Sequence, residues 1–272
     1  MTDGSLGSPI VVTKVRRPGQ SSAARFPNRT RLLAATLVFV LLGSGIAVIL
    51  TNVDSDEVVD EALVATSCPA VDKSDAPVLT FERPPPMCIQ TSRNYTAIFD
   101  TTEGEIRFRL DTNLTPNTAN NFIFLTNYSY YDNTLLFRLD PTIAIIQGGS
   151  PHTQNWSDPG PGYNIPDEGG VFLPLSNGTV QGPFNYRPGQ LVMARSAGPN
   201  SSGAQFFLTT GPEVGALDAQ GSYIVFGETD DNGLAVLREI MDLYETDPNS
   251  PYGGGPTREV RVRSVTIVDS DE

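Results

Sequence analysis

Gly198-Pro199-Asn200-Ser201-Ser202-Gly203-Ala204-Gln205-Phe206-Phe207 is the stretch on which the reading of this chain turns. Its first half is turn chemistry, with glycines that let a backbone bend sharply or a bound chain approach closely. Its second half opens a predicted strand over residues 204–208. Working outward, three further segments precede it: Phe137-Arg138-Leu139, Gln147-Gly148-Gly149 and Asp158-Pro159-Gly160-Pro161-Gly162-Tyr163. Around them the dominant pattern has period two. Tyr95-Thr96-Ala97-Ile98-Phe99 and Ile106-Arg107-Phe108-Arg109-Leu110 flank Thr101–Glu105 and predict a hairpin, with further strands predicted at 135–139, 143–147, 191–194, 223–226 and 259–268. Two helices are predicted. One starts at Thr115, with Pro116 in its first turn and Ala119, Phe122, Ile123 and Thr126 spaced to face a core. The other starts near Asp231, with Leu234, Leu237, Ile240 and Met241 on one side. Many short strands with two separated helices predict a mainly β protein, a closed antiparallel barrel capped at its ends.

In this order, the four quoted segments resemble the cyclophilins, the family of peptidyl-prolyl cis-trans isomerases. The resemblance runs from about Tyr95 to Val268. It implies an eight-stranded closed β-barrel with two capping α-helices, catalysis by Arg138, a substrate grip at Gln205, and walls of a proline pocket at Phe207 and Leu217. Some positions depart from the family pattern. Phe137 stands where a histidine usually precedes the arginine, Ile143 or Ala144 where a phenylalanine is expected, Ala216 where many members carry tryptophan, and Tyr223 where a later histidine falls. The single tryptophan, Trp156, lies in another loop and is not expected to substitute by position.

Rotation about an Xaa-Pro bond needs no nucleophile. The barrier of roughly 18–20 kcal/mol comes from resonance across the C–N bond. When the bond twists, the prolyl nitrogen regains its lone pair, and a donor that meets it only then lowers the barrier selectively. Arg138 suits the role, being permanently charged and rigidly forked, on a strand beside Gln147, which is expected to orient it. Counting back by twos from Gln147 places Ile145 and Ile143 on the same strand face, as apolar walls for a proline ring or as plain core. The chain has one histidine, His152, and neither a serine elbow nor a cluster of metal ligands, so no metal and no cofactor are expected. The alternative to an enzyme is a cyclophilin-like module that binds proline-containing segments without useful turnover.

Charge and hydropathy place this chemistry. Leu32 to Leu50 carries no charged residue and has about the length of a bilayer-spanning helix. Lys14, Arg16, Arg17, Arg25, Arg29 and Arg31 precede it against the single acid Asp3, while Asp54, Asp56, Glu57, Asp60 and Glu61 follow it. Positive charge stays inside. The expectation is a basic cytoplasmic segment (1–31), an uncleaved transmembrane anchor (32–50), an acidic and proline-rich linker (51–93) and an extracytoplasmic isomerase domain (94–272). The whole chain has a formal net charge of −13 although its first fifty residues are basic, so the exposed part repels nucleic acid. Expected partners are flexible proline-containing polypeptides and, through the anchor, the membrane; a monomer is expected. Cys68 and Cys88, the only cysteines, would form a disulfide on the oxidising side of a membrane, with free thiols or a metal site as the alternatives.

Overall fold

The computed structural model describes residues 66–171, 184–248, 250 and 252–270. The predicted hairpin is formed by β1 (Asn94–Thr101) and β2 (Glu105–Leu110), antiparallel, with Ala97 opposite Phe108 and Phe99 opposite Ile106. Alternation works as the pattern requires: Tyr95, Ala97, Phe99, Ile106, Phe108 and Leu110 are buried while their neighbours point outward. The turn is set by Thr101, whose Oγ1 accepts from the amides of Glu103 and Gly104 at 3.1 and 3.0 Å. Gly104 has φ +144°, a conformation side chains rarely adopt, and a Cβ there would lie 3.2 Å from Val236.

Helix α1 (Pro116–Asn127) follows. Its N-terminal amides have no partners inside the helix, and Glu168 supplies them: its Oε1 accepts from the amide of Asn117 at 2.9 Å and its Oε2 from that of Thr118 at 2.8 Å. A carboxylate there also complements the helix dipole. Every residue from Thr118 to Asn127 is buried. Phe122 stacks on Phe99 at 5.9 Å and on Tyr131 at 4.9 Å, and Phe206 closes the cluster, 5.5 Å from Phe99. The remaining strands are β3 (Thr134–Leu135), β4 (Arg138–Asp140), β5 (Ile145–Gly148), β6 (Gln190–Arg195), β7 (Ser202–Thr209), β8 (Val225–Thr229), β9 (Tyr244–Thr246), β10 (Gly254–Pro256) and β11 (Arg261–Ser270). Helix α2 (Asp231–Met241) lies between β8 and β9; Asp230 caps it by accepting from the amide of Gly233 at 3.0 Å. Its buried side carries Leu237 and Ile240.

The expected closed eight-stranded barrel is corrected. The strands form one curled antiparallel sheet of eleven segments in the order β3-β11-β1-β2-β8-β6-β7-β5-β4-β10-β9, and the end strands β3 and β9 do not pair. The cause lies at Leu136 and Phe137. The amide of Leu136 donates to Val260 O, just before β11, at 2.9 Å, and the amide of Phe137 donates to Gln147 O on β5 at 3.0 Å. One continuous stretch of chain therefore changes partners across the seam, where a closed barrel would have a strand pair.

The segments 1–31 and 32–50, read as cytoplasmic segment and anchor, lie outside the described residues. Among the described residues no helix is long and apolar enough to cross a membrane. Of the stretch read as a linker, residues from Thr66 onward are described; most are exposed or half-buried, and Thr66 and Phe81 are buried. Phe81 is 1% exposed, against Phe124 (4.9 Å) and Tyr128 (5.2 Å), and its amide donates to Pro161 O at 2.9 Å. A disulfide joins Cys68 to Cys88, with Cα atoms 5.5 Å apart. Asn120 of α1 holds the same segment, its Oδ1 accepting from the amide of Cys88 at 2.7 Å and its Nδ2 donating to Pro86 O at 2.8 Å.

Candidate active site

Strand register assembles the site. Arg138 on β4 is opposite Gln147 on β5, Gln147 is opposite Phe207 on β7, and Phe207 is opposite Val192 on β6, so three of the candidate residues share one cross-strand row. Gln147 Oε1 accepts from Arg138 Nη1 at 3.0 Å, and Gln147 Nε2 donates to Gln205 Oε1 at 2.8 Å. The two glutamines and the arginine thus form a chain of hydrogen bonds along one rim of a cavity of about 510 Å³. Arg138, Ile143, Ile145, Gln147, Gln205, Phe207 and Leu217 all line it. Ile145, Phe207 and Leu217 are 3–4% exposed and form a nearly dry apolar surface.

Ile143 reaches the cavity by a route that strand alternation does not describe. Strand β5 begins only at Ile145, and Ala144 before it adopts φ +48°, with its carbonyl accepting from the amide of Thr210 at 2.9 Å. Tyr223 stands edge-on to Phe207 at 5.3 Å and lines the cavity too. It is fixed by Tyr186, whose hydroxyl donates to Tyr223 O at 2.8 Å and accepts from Tyr223 N at 2.9 Å. Burial pushes the Tyr186 hydroxyl up to about 12, so it stays a donor throughout the physiological range.

Two partners of Arg138 escaped the sequence reading. Asp140 Oδ2 accepts from Arg138 Nη2 at 2.8 Å, and the backbone carbonyl of Tyr252 accepts from Arg138 Nε at 2.8 Å. The Tyr252 ring lies 5.2 Å from the guanidinium carbon. Asp140 was within reach of inference, because residues i and i+2 of a strand share a face. Tyr252, on the loop between β9 and β10, gave no local signal. Burial pushes the Asp140 carboxyl up, but hydrogen bonds from Thr142 and Arg138, and the arginine's charge, outweigh it and hold it below the usual carboxylate value. Of the five N–H groups of a guanidinium, three are engaged by Gln147, Asp140 and Tyr252. Two remain for a ligand.

Trp156, set aside by position, lines the cavity and is 51% exposed, so the loop that carries it does reach the groove. Ala216 is exposed and is not among the lining residues, whereas its neighbour Leu217 is. His152 does not line the cavity. Its Nδ1 lies 3.1 Å from Asp158 Oδ1, and Asp158 also accepts from the amides of His152, Thr153 and Gly160, which makes this pair the organiser of a loop. Among the described residues no group of three or more His, Cys, Asp or Glu could hold a metal ion.

A curled antiparallel sheet with the Arg138 guanidinium, held by three hydrogen bonds, beside an apolar slot suits a catalyst that works on conformation. The comparisons agree. Residues 96–267 match the family model for cyclophilin-type peptidyl-prolyl cis-trans isomerases. A peptidyl-prolyl cis-trans isomerase of Synechococcus elongatus is 36% identical over 150 residues, covering 54% of this chain and 88% of that protein. Peptidyl-prolyl cis-trans isomerase B of Streptomyces anulatus is 31% identical over 186 residues, covering 63% and 95%. A crystal structure of a cyclophilin-type isomerase of Cryptosporidium parvum, determined in the presence of the dipeptide Ala-Pro, superposes with a TM-score of 0.51 at 26% identity, over 64% of this chain and 99% of that one. This chain belongs to the cyclophilin family of peptidyl-prolyl cis-trans isomerases and is an enzyme of that type.

Proposed function

We propose that this protein is a membrane-tethered isomerase that turns Xaa-Pro bonds in polypeptides folding outside the plasma membrane, with Arg138 as the catalytic donor. The observation that carries the reading is the Arg138 guanidinium, fixed by three hydrogen bonds beside the Ile145–Phe207–Leu217 surface with two N–H groups left over. A proline ring seated on that surface has its nitrogen presented to the arginine. In the planar ground state the nitrogen's lone pair is delocalised and accepts nothing; in the twisted state it accepts an N–H, so the interaction belongs to the transition state alone. Ile143 completes the apolar wall, and Gln147 and Gln205 grip the substrate backbone. No residue gains or loses a proton.

The extracytoplasmic assignment draws on the uncharged run from Leu32 to Leu50 and the basic residues before it. A disulfide at Cys68–Cys88 suits an oxidising compartment. The presence of Ala-Pro in the related Cryptosporidium parvum structure is in keeping with proline-containing substrates. The test is an Xaa-Pro isomerisation assay on the full chain, wild type against Arg138→Ala. Turnover lost in the variant with peptide affinity retained is expected. Equal turnover by both proteins would sink the role of Arg138, and peptide binding without turnover by the wild type would leave a proline-binding module.

A further inference from the structure

The groove does not end at Arg138. Arg138, Trp156 and Tyr252 line a second cavity as well, of about 600 Å³, completed by residues of β9, β10 and the segment before β11. Trp156 and Tyr252 meet edge to face with ring centroids 5.5 Å apart and are 51% and 42% exposed. Two large aromatic side chains open to water at the junction of two cavities are a surface made for contact. The Tyr252 ring already has the Arg138 guanidinium beside it, at 5.2 Å, whereas among the described residues no cation lies over Trp156.

The charges around the second cavity are unequal in what they have left to offer. Arg138 is paired with Asp140 at 2.8 Å and Arg258 with Glu103 at 2.6 Å, so both cations are neutralised by residues that do not line it. Glu259 is paired with Arg261 at 2.7 Å. Glu245, exposed, meets no cation among the described residues. What faces the cavity is therefore an aromatic wall with the Glu245 carboxylate on its rim.

We propose that this second cavity is a subsite for a cationic side chain, lysine or arginine, carried by the substrate within a few residues of the proline. The proposal rests on the isomerase reading of the groove, since it is the proline in that groove that brings the flanking residue across the shared wall. The cation packs on the face of Trp156, where the ring's electron density attracts it, and the carboxylate of Glu245 supplies long-range attraction. An acidic residue at the same position meets like charge, so the subsite discriminates as well as binds.

The experiment uses the full chain and a set of proline peptides with Lys, Ala or Glu placed at each flanking position in turn. At one position or more, the lysine peptide is turned over with kcat/KM about three- to tenfold above the alanine peptide, the glutamate peptide falls below it, and the spread narrows as salt rises. In Glu245→Gln the lysine-to-alanine ratio falls toward one. Trp156, the only tryptophan, reports occupancy without catalysis: its emission shifts with the lysine peptide in the wild type and also in Arg138→Ala, and shifts less with the glutamate peptide. Turnover indifferent to flanking charge at every position, with Trp156 emission unmoved, overturns the subsite and leaves the isomerase reading intact. Lysine-dependent change in Trp156 emission without turnover of any peptide supports the subsite and overturns the isomerase reading instead.

Discussion

A guanidinium catalyses only if some of its N–H groups are free and the rest are held, because a floppy donor must be ordered anew in each transition state. Arg138 meets both conditions through Gln147, Asp140 and Tyr252. Removing it in Arg138→Ala is expected to cost roughly 2–4 kcal/mol of transition-state stabilisation, about thirty- to a thousandfold in kcat, with peptide affinity little changed. Arg138→Lys is expected to rescue poorly, since an ammonium on a flexible stem does not reproduce the planar fork that meets Gln147, Asp140 and Tyr252. Isomerisation rates and peptide titrations of the two variants separate kcat from affinity. Asp140 makes a second, pH-resolved prediction. Its carboxyl is held below the ordinary value of 3.8, so its pairing with Arg138 is present at that value and above and is lost as pH falls through the lower folded-state value. Activity referred to folded protein should therefore stay level as pH drops toward about 4, and Asp140→Asn should lower kcat by about five- to thirtyfold at neutral pH. A wild-type acid limb well above that range would remove Asp140 from the arginine's control. At this scale much was legible. Arg138, Gln147, Gln205 and Phe207 are carried by short motifs, whereas Tyr252 meets Arg138 from 114 residues away and no local pattern encodes that.

Elements fail to be legible for a related reason, since period and propensity report faces and not partners. The β1–β2 hairpin and both helices follow from alternation, Pro116 and the spacing of apolar residues. The seat of Phe81 does not, because a lone phenylalanine among prolines has no period, and its fit against Phe124, Tyr128 and Tyr163 is a property of the surface it meets. That fit is strong enough to measure. Phe81→Ala deletes a fully buried ring and is expected to cost about 3–5 kcal/mol, read as a fall in Tm. Cys88→Ser opens a loop of 20 residues and is expected to cost about 3 kcal/mol on the chain-entropy account. The same protein, denatured without reductant, should show one titratable thiol, with none in the wild type. Two thiols in wild-type protein isolated under oxidising conditions would mean that the segment is held by Phe81 and Asn120 alone.

At the scale of the molecule, the open sheet and the proposed tether raise one common question, which is how a catalyst of flexible chains is kept near them. The sheet leaves its seam to Leu136 and Phe137, so the strand that carries Arg138 continues directly from residues bonded to the opposite end of the strand order. A closed ladder was the natural expectation from strand count, because the sequence does not state which strands lie at the ends. The charge pattern raises the question of place. Basic residues from Lys14 to Arg31, an uncharged run from Leu32 to Leu50 and acids from Asp54 onward would orient a single anchor with the isomerase domain outside. If that orientation holds, protease added to intact cells should remove the domain from the membrane fraction, and alkaline washing without protease should leave the full chain there. A domain protected in intact cells and digested only after lysis would put the isomerase on the cytoplasmic side. Release of the full chain by alkaline washing would show that the run from Leu32 to Leu50 does not span the bilayer, because a transmembrane helix survives conditions that strip surface-bound protein.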